Sequence, residues 1–149
     1  MWQFNGKQLE ETEIPDKAVG FIYVITQKST GKRYIGKKLL TKAATKTING
    51  KKKKIRKESD WKDYWSSSPF LKDYITEHGT DDFTKEILVF CQGKGSMVYA
   101  EEMALYMTGA LETNMWFNDN IRSKVYRSWV KPDEASQLRN AMRTLSLLP

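Results

Sequence analysis

An α/β domain of the α+β kind is predicted on three observations. Residues 21–36 read as a tight β-hairpin, residues 83–91 as a third and largely buried strand, and three later segments repeat apolar residues at helical spacing. At 149 residues, with 40% hydrophobic and 29% charged side chains, the chain is long enough to bury a core without covalent staples.

Residues 1–19 are polar and weakly patterned, with Glu10, Glu11 and Glu13 ahead of Pro15, and are expected to form an N-terminal arm. In the hairpin, Phe21, Tyr23 and Ile25 alternate with Ile22 and Val24. Ser29-Thr30-Gly31-Lys32 supplies the turn, and Tyr34-Ile35-Gly36 returns, offering Tyr23 and Tyr34 as a pair of phenols. Residues 39–58 contain the turn signal Asn49-Gly50 followed by Lys51-Lys52-Lys53-Lys54-Ile55-Arg56-Lys57, too charged for a core, and read as a basic loop or a small second hairpin. After Asp60-Trp61-Lys62-Asp63-Tyr64-Trp65, Ser68 is placed to cap a helix with Pro69 in its first turn, which Gly79 ends. In the strand, Phe83, Ile87, Val89 and Cys91 are expected on one face, against Thr84, Glu86, Leu88 and Phe90. A second helix is expected from Ser96 to about Leu111. A third follows Lys131-Pro132, with Ala135, Leu138, Ala141, Met142 and Leu145 on its apolar side.

Charge is distributed unevenly. Lys17 through Lys57 hold twelve Lys, two Arg and no acid, whereas the whole chain nets only +7. One basic block on an otherwise acidic chain is the footprint of a polyanion partner, because each neutralised phosphate releases condensed counterions. Lys37, Lys51, Lys52, Lys53, Lys54 and Lys57 are the candidate DNA contacts, although a solvated face is the plainer reading of the lysine run alone. One Cys and one His exclude both a disulfide framework and a tetrahedral zinc centre, so any catalytic metal must be a hard cation held by oxygen, Mg²⁺ or Mn²⁺. Cys91 is expected in the core and His78 at a helix C-terminus. With no signal peptide and no membrane-length apolar run, the expectation is a cytoplasmic protein, in the host cytoplasm if phage-encoded.

Helical periodicity puts Met97, Val98, Ala104, Leu105 and Thr108 in one arc with Glu101 at its centre, while Glu102 points toward the side of Tyr99 and Tyr106. A carboxylate on an inward face must be paired, hydrogen-bonded or bound to a metal. A salt bridge to one of the lysines and metal ligation both satisfy that requirement.

These motifs in this order (Phe21-Ile22-Tyr23, Tyr34-Ile35-Gly36, a helix, Phe83 to Leu88, a helix with an inward Glu, and Trp116-Phe117-Asn118) resemble the GIY-YIG endonuclease family over roughly residues 20–121. The likeness is nearest to its compact phage-type and homing-type members. The resemblance implies a small three-stranded antiparallel sheet flanked by helices, here with an extra C-terminal helix, and hydrolysis of duplex DNA with one Mg²⁺ or Mn²⁺ per active site. It implies Tyr23 and Tyr34 as the two motif tyrosines, Glu101 as the single metal ligand, and Asn118 as the supporting asparagine; the chemistry then makes Tyr23 the general base, taking the water's proton itself or passing it through Tyr34, with the basic block lowering its phenol. Two positions depart from the pattern. Phe21 stands where glycine is usual, just after Gly20, and no arginine closely follows the second motif, which leaves Arg56 and Lys38 as rival charge-stabilising cations.

The division expected is an arm at 1–19, a nuclease domain at 20–130 with a basic insertion at 39–58, and an amphipathic C-terminal helix at 131–149 that could mediate a homodimer. Two other functions fit the sequence. One is a catalytically inactive nucleic-acid-binding module of the same fold; the other is an interaction protein presenting Trp61, Trp65, Trp116 and Trp129.

Overall fold

A computed structural model of the chain describes residues 1–121 and 125–149. Its centre is the predicted hairpin. Strand β3 (Gly20–Gln27) pairs antiparallel with β4 (Arg33–Leu39) and, on its other side, with β7 (Phe83–Cys91). The sheet nevertheless has five strands rather than three, in the order β2-β1-β7-β3-β4. The two extra strands come from the segment expected to be an arm. β1 (Trp2–Phe4) lies parallel to β7, and β2 (Lys7–Gln8) returns beside it through Asn5-Gly6, both at positive φ. A three-residue strand carries too little alternation to announce itself, yet Trp2 is buried and donates its indole N–H to the Trp61 carbonyl at 2.6 Å.

The sheet separates two cores. Phe21, Tyr23 and Ile25 face Trp2, Trp61, Leu71, Ile75 and Phe83. Ile22, Val24 and Ile35 face helix α2 (Lys94–Met107) and helix α3 (Pro132–Thr144). The expected alternation of β7 fails midway, because Ile22 pairs with Val89 but Tyr23 with Ile87, leaving Leu88 as an extra residue in a bulge. Phe83 and Ile87 therefore belong to the tyrosine side, while Leu88, Val89 and Cys91 belong to the helix side.

Helix α1 (Pro69–His78) begins as predicted, with the Ser68 hydroxyl accepting from Leu71 N at 3.3 Å, and closes at Gly79. Helix α2 starts two residues before Ser96, capped at Gly93, and ends at Met107. In α3, Leu138 and Met142 are fully buried in the chain's own core, so most of the stripe read as a dimer contact is already covered. The tryptophans do not form one surface either: Trp61 is buried, and Trp65 packs edge-on against Phe83. No helix among the described residues is long and apolar enough to cross a membrane.

Asp82 ties down the hairpin turn: its carboxylate accepts from Ser29 N, Ser29 Oγ and Gln27 Nε2 at 2.6–3.0 Å. These donors hold the carboxyl below its ordinary value of 3.8. A carboxyl lowered by folding stabilises the fold above its unfolded value and loses that contribution as pH falls. Asp82→Ala should accordingly lower the melting temperature at neutral pH, and the gap from wild type should close as pH drops below about 3.8, read by thermal circular dichroism.

Candidate active site

Strand β4 is the edge of the sheet, and its outer rim borders a cleft of about 440 Å³. The lining draws on both faces of the sheet: Tyr34 and Ser67 from the tyrosine side, Lys37, Glu101 and Glu102 from the helix side, and Asn118 and Asp119 from the segment after α2. Period-2 alternation explains how one strand serves both walls. Tyr34, Gly36 and Lys38 project to one side, and Ile35, Lys37 and Leu39 to the other.

Glu101 reaches this cleft from α2 and pairs with Lys37, Nζ to Oε1 at 2.9 Å, both side chains partly exposed. The ion pair open to the inward carboxylate is present. Glu102, expected to point elsewhere, lines the same cleft one residue on. Among the described residues no three His, Cys, Asp or Glu side chains are arranged to hold a metal. The carboxylates on the cleft wall are Glu101, Glu102 and Asp119. Such a sparse set suits Mg²⁺, which keeps several waters and takes one or two carboxylates together with substrate phosphates.

Tyr34 is half-buried on the wall, its hydroxyl 3.4 Å from Ser67 Oγ. Tyr23 pairs with Gly36, diagonal to Tyr34, and the two ring centroids lie 6.3 Å apart. Tyr23 itself is fully buried and does not line the cleft, and its hydroxyl meets no hydrogen-bond partner among the described residues. Its ring lies over Gly36, where an added Cβ would stand 2.5 Å from Tyr23 Cζ. Burial pushes the Tyr23 phenol well above its ordinary value of 10.0, and the neighbouring Tyr64 and Tyr34 phenols and then Glu101 push the same way. The basic block does not offset that rise. Lys38 is bound to Asp60 at 2.6 Å and lies 4.0 Å from the Tyr64 ring centre, while Lys37 is engaged by Glu101.

Neither rival cation lines the cleft. Arg56 is exposed on strand β6 (Lys51–Glu58), its guanidinium donating to Thr41 O and Oγ1. Lys38 stands on the tyrosine side, tied to Asp60. Lys37, read from sequence only as a DNA contact, is the cation that lines the cleft. Asn118 clasps the rim of β4: its Oδ1 accepts from Ile35 N at 2.9 Å, and its Nδ2 donates to Ile35 O at 2.8 Å. Both ends of that amide are engaged by backbone, which fits a residue that positions β4. Lys51, Lys52, Lys53, Lys54 and Lys57 are all exposed on β6, away from the cleft walls.

Periodicity missed Tyr64 and Ser67, which lie in the irregular stretch between the 3₁₀ turn at Trp61–Asp63 and α1, where no repeat applies. Tyr64 packs edge-on against Tyr23 at 6.1 Å, and its carbonyl is held at 2.9 Å by Lys85 Nζ. The Lys85 ammonium is buried between Trp2 and Trp65, 4.6 Å from each ring centre, and burial lowers it to about 8. Gly20 fits for a similar steric reason, since a Cβ there would come within 2.5 Å of Lys38 O and Met97 Sδ, so β3 can begin with glycine followed by Phe21.

A family model described as "Putative endonuclease segE, GIY-YIG domain" matches residues 2–121. No curated protein and no solved structure matches the chain. The match begins at Trp2, so it takes in the two N-terminal strands as well as the hairpin, α1, β7, α2 and the Asn118 clasp. On a match over most of its length, the chain belongs to the GIY-YIG endonuclease family.

Proposed function

We propose that the chain is a divalent-metal-dependent endonuclease that hydrolyses phosphodiester bonds of duplex DNA in the cleft along β4. The observation that carries this reading is that Tyr34, Lys37 and Glu101, from both faces of the sheet, line one cleft beside a buried phenol with no partner. Hydrolysis needs a proton acceptor for the attacking water and compensation for charge growing on the phosphoryl oxygens. Tyr34 opens on the cleft, so it is the phenol placed to meet the water, and it takes the water's proton as a phenolate, its own proton having gone to solvent through the open side of the cleft. Tyr23, kept protonated by burial, stands behind it with a hydroxyl able to donate to the Tyr34 phenolate. Lys37 offers its ammonium to the phosphoryl oxygens, the role the sequence left between Arg56 and Lys38. Glu101 would hold the Mg²⁺ or Mn²⁺, which would supply Lewis-acid stabilisation of the phosphate and the leaving group. Asn118 keeps the rim of β4, and with it Tyr34 and Lys37, in place.

Tyr23→Phe separates chemistry from packing. The hydroxyl is buried beside the Tyr64 phenol with no hydrogen bond of good geometry among the described residues, so its loss should change stability little, read as the urea midpoint. Its single-turnover cleavage of a labelled duplex should fall by about 10²-fold, and that of Tyr34→Phe by about 10²–10⁴-fold, both binding DNA as before. Full cleavage by Tyr34→Phe would remove the assigned acceptor.

A further inference from the structure

Strands β5 (Thr41–Ile48) and β6 form a two-stranded ribbon outside the main sheet, turning through Asn49-Gly50, both at positive φ. It contributes no side chain to either buried core cluster. Its base is pinned, since Ser59 Oγ donates to Leu39 O at 2.6 Å, Ser59 N to Leu40 O at 2.9 Å and Trp61 Nε1 to Glu58 Oε1 at 3.1 Å. Two-stranded ribbons are marginal by themselves, and this one sets Lys42 opposite Lys57 and Lys46 opposite Lys53, like charges directly across the ladder. A ribbon that neither feeds the core nor relieves its own repulsion is explained by a ligand that supplies the missing negative charge.

The charge count makes the same point. Residues 41–58 hold seven Lys, one Arg and a single Glu, a net +7 equal to that of the whole chain, so the remainder is neutral. All seven lysines are exposed, and among the described residues none pairs with a carboxylate. The ladder sorts them by face: Lys42, Lys46, Lys51, Lys53 and Lys57 share one face with Ala44, Ile48 and Ile55, and the opposite face carries Lys52, Lys54 and Arg56 among threonines. Eight residues at about 3.3 Å each make the ribbon about 26 Å long, which spans about eight base pairs at about 3.4 Å per step.

We infer that the β5–β6 ribbon is the duplex-holding arm of the enzyme, laying its five-lysine face along the phosphate backbones of DNA independently of sequence. The inference rests on the nuclease reading of the cleft. β4 passes from Lys37 directly into the ribbon at Thr41, so duplex held along the ribbon runs to the cleft. Duplex DNA is favoured over other polyanions because it presents one charge per about 1.7 Å of axis, a density matched to a row of closely spaced lysines.

The test measures binding in EDTA on a Glu101→Gln background, so cutting cannot interfere and the result does not depend on activity. The triple variant Lys46→Gln, Lys51→Gln, Lys53→Gln should flatten the plot of log Kd against log salt by about 2–3, at about 0.9 per lost phosphate contact, equally for unrelated duplex sequences. Replacing Lys52, Lys54 and Arg56 by Gln should change that slope by less than half as much. Thermal melting should show both proteins folded, the first no less stable because a cross-strand repulsion is gone. An unchanged slope in the first triple, an equal change in the second, or tighter binding of wild type to phosphatidylserine vesicles than to duplex overturns the inference. Absence of plasmid cleavage by wild type overturns the nuclease reading instead, and the two failures are read in separate assays.

Discussion

Glu101→Gln is expected to cut DNA at least about 10³-fold more slowly than wild type under single-turnover conditions with Mg²⁺, while binding the same duplex at least as tightly. Oxygen donors are few in this cleft and, among the described residues, no cluster of three acids backs them up, so removing one full negative charge removes most of what could hold a hard cation. The Lewis-acid contribution of such a cation is worth several kcal/mol, and about 1.4 kcal/mol is a factor of ten in rate. Binding survives because the amide keeps the shape of the side chain and the change frees Lys37 to meet phosphate. Stability should move little, since the Lys37–Glu101 pair is partly exposed and pairs of that kind contribute about 1 kcal/mol or less. A catalytically inactive binding module predicts the same binding result but no wild-type cleavage to lose.

Gly36→Ala should damage both the fold and the site. Its Cβ would stand 2.5 Å from Tyr23 Cζ, and the ring cannot swing away because Tyr23 is fully buried among Trp2, Phe21 and Tyr64. Overpacking of this kind costs about 1–3 kcal/mol, and it also moves the phenol behind the cleft. We expect a clear drop in urea midpoint and cleavage lowered by more than the unfolded fraction explains. In a Tyr23→Leu background the same Gly36→Ala change should cost much less, since the ring it collides with is gone. A double-mutant cycle measures that coupling, and additive costs would show that the contact between ring and glycine does not govern the site.

Much of this arrangement was legible because local chemistry and tertiary structure agree. The hairpin alternation, the Ser68 cap ahead of Pro69 and the Asn49-Gly50 turn are local rules that the fold leaves intact. The inward position of Glu101 followed from helical spacing alone, although which side of the sheet it served did not. Short elements and parity shifts stayed hidden. Trp2–Phe4 has three residues, and although Asn5-Gly6 is as good a turn signal as Asn49-Gly50, polar neighbours mask the strand. The bulge at Leu88 reverses the faces of β7 for a reason that lies in the pairing with β3 and not in β7 itself. The same distinction explains the cations. Period 2 placed Lys38 with Tyr34 correctly, but only the cleft around the rim of β4 shows that Lys37, on the opposite face, is the residue that meets Glu101.

The central claim, that the β4 cleft is a metal-dependent phosphodiesterase site, is tested most directly by incubating supercoiled plasmid with excess wild-type protein, with Mg²⁺ and with EDTA, in parallel with Tyr34→Phe. Nicked or linear product that forms only with metal, and forms far more slowly with the variant, is the predicted result. Cleavage undiminished in EDTA, or intact plasmid in complexes shown to be fully bound with Mg²⁺ present, would contradict it.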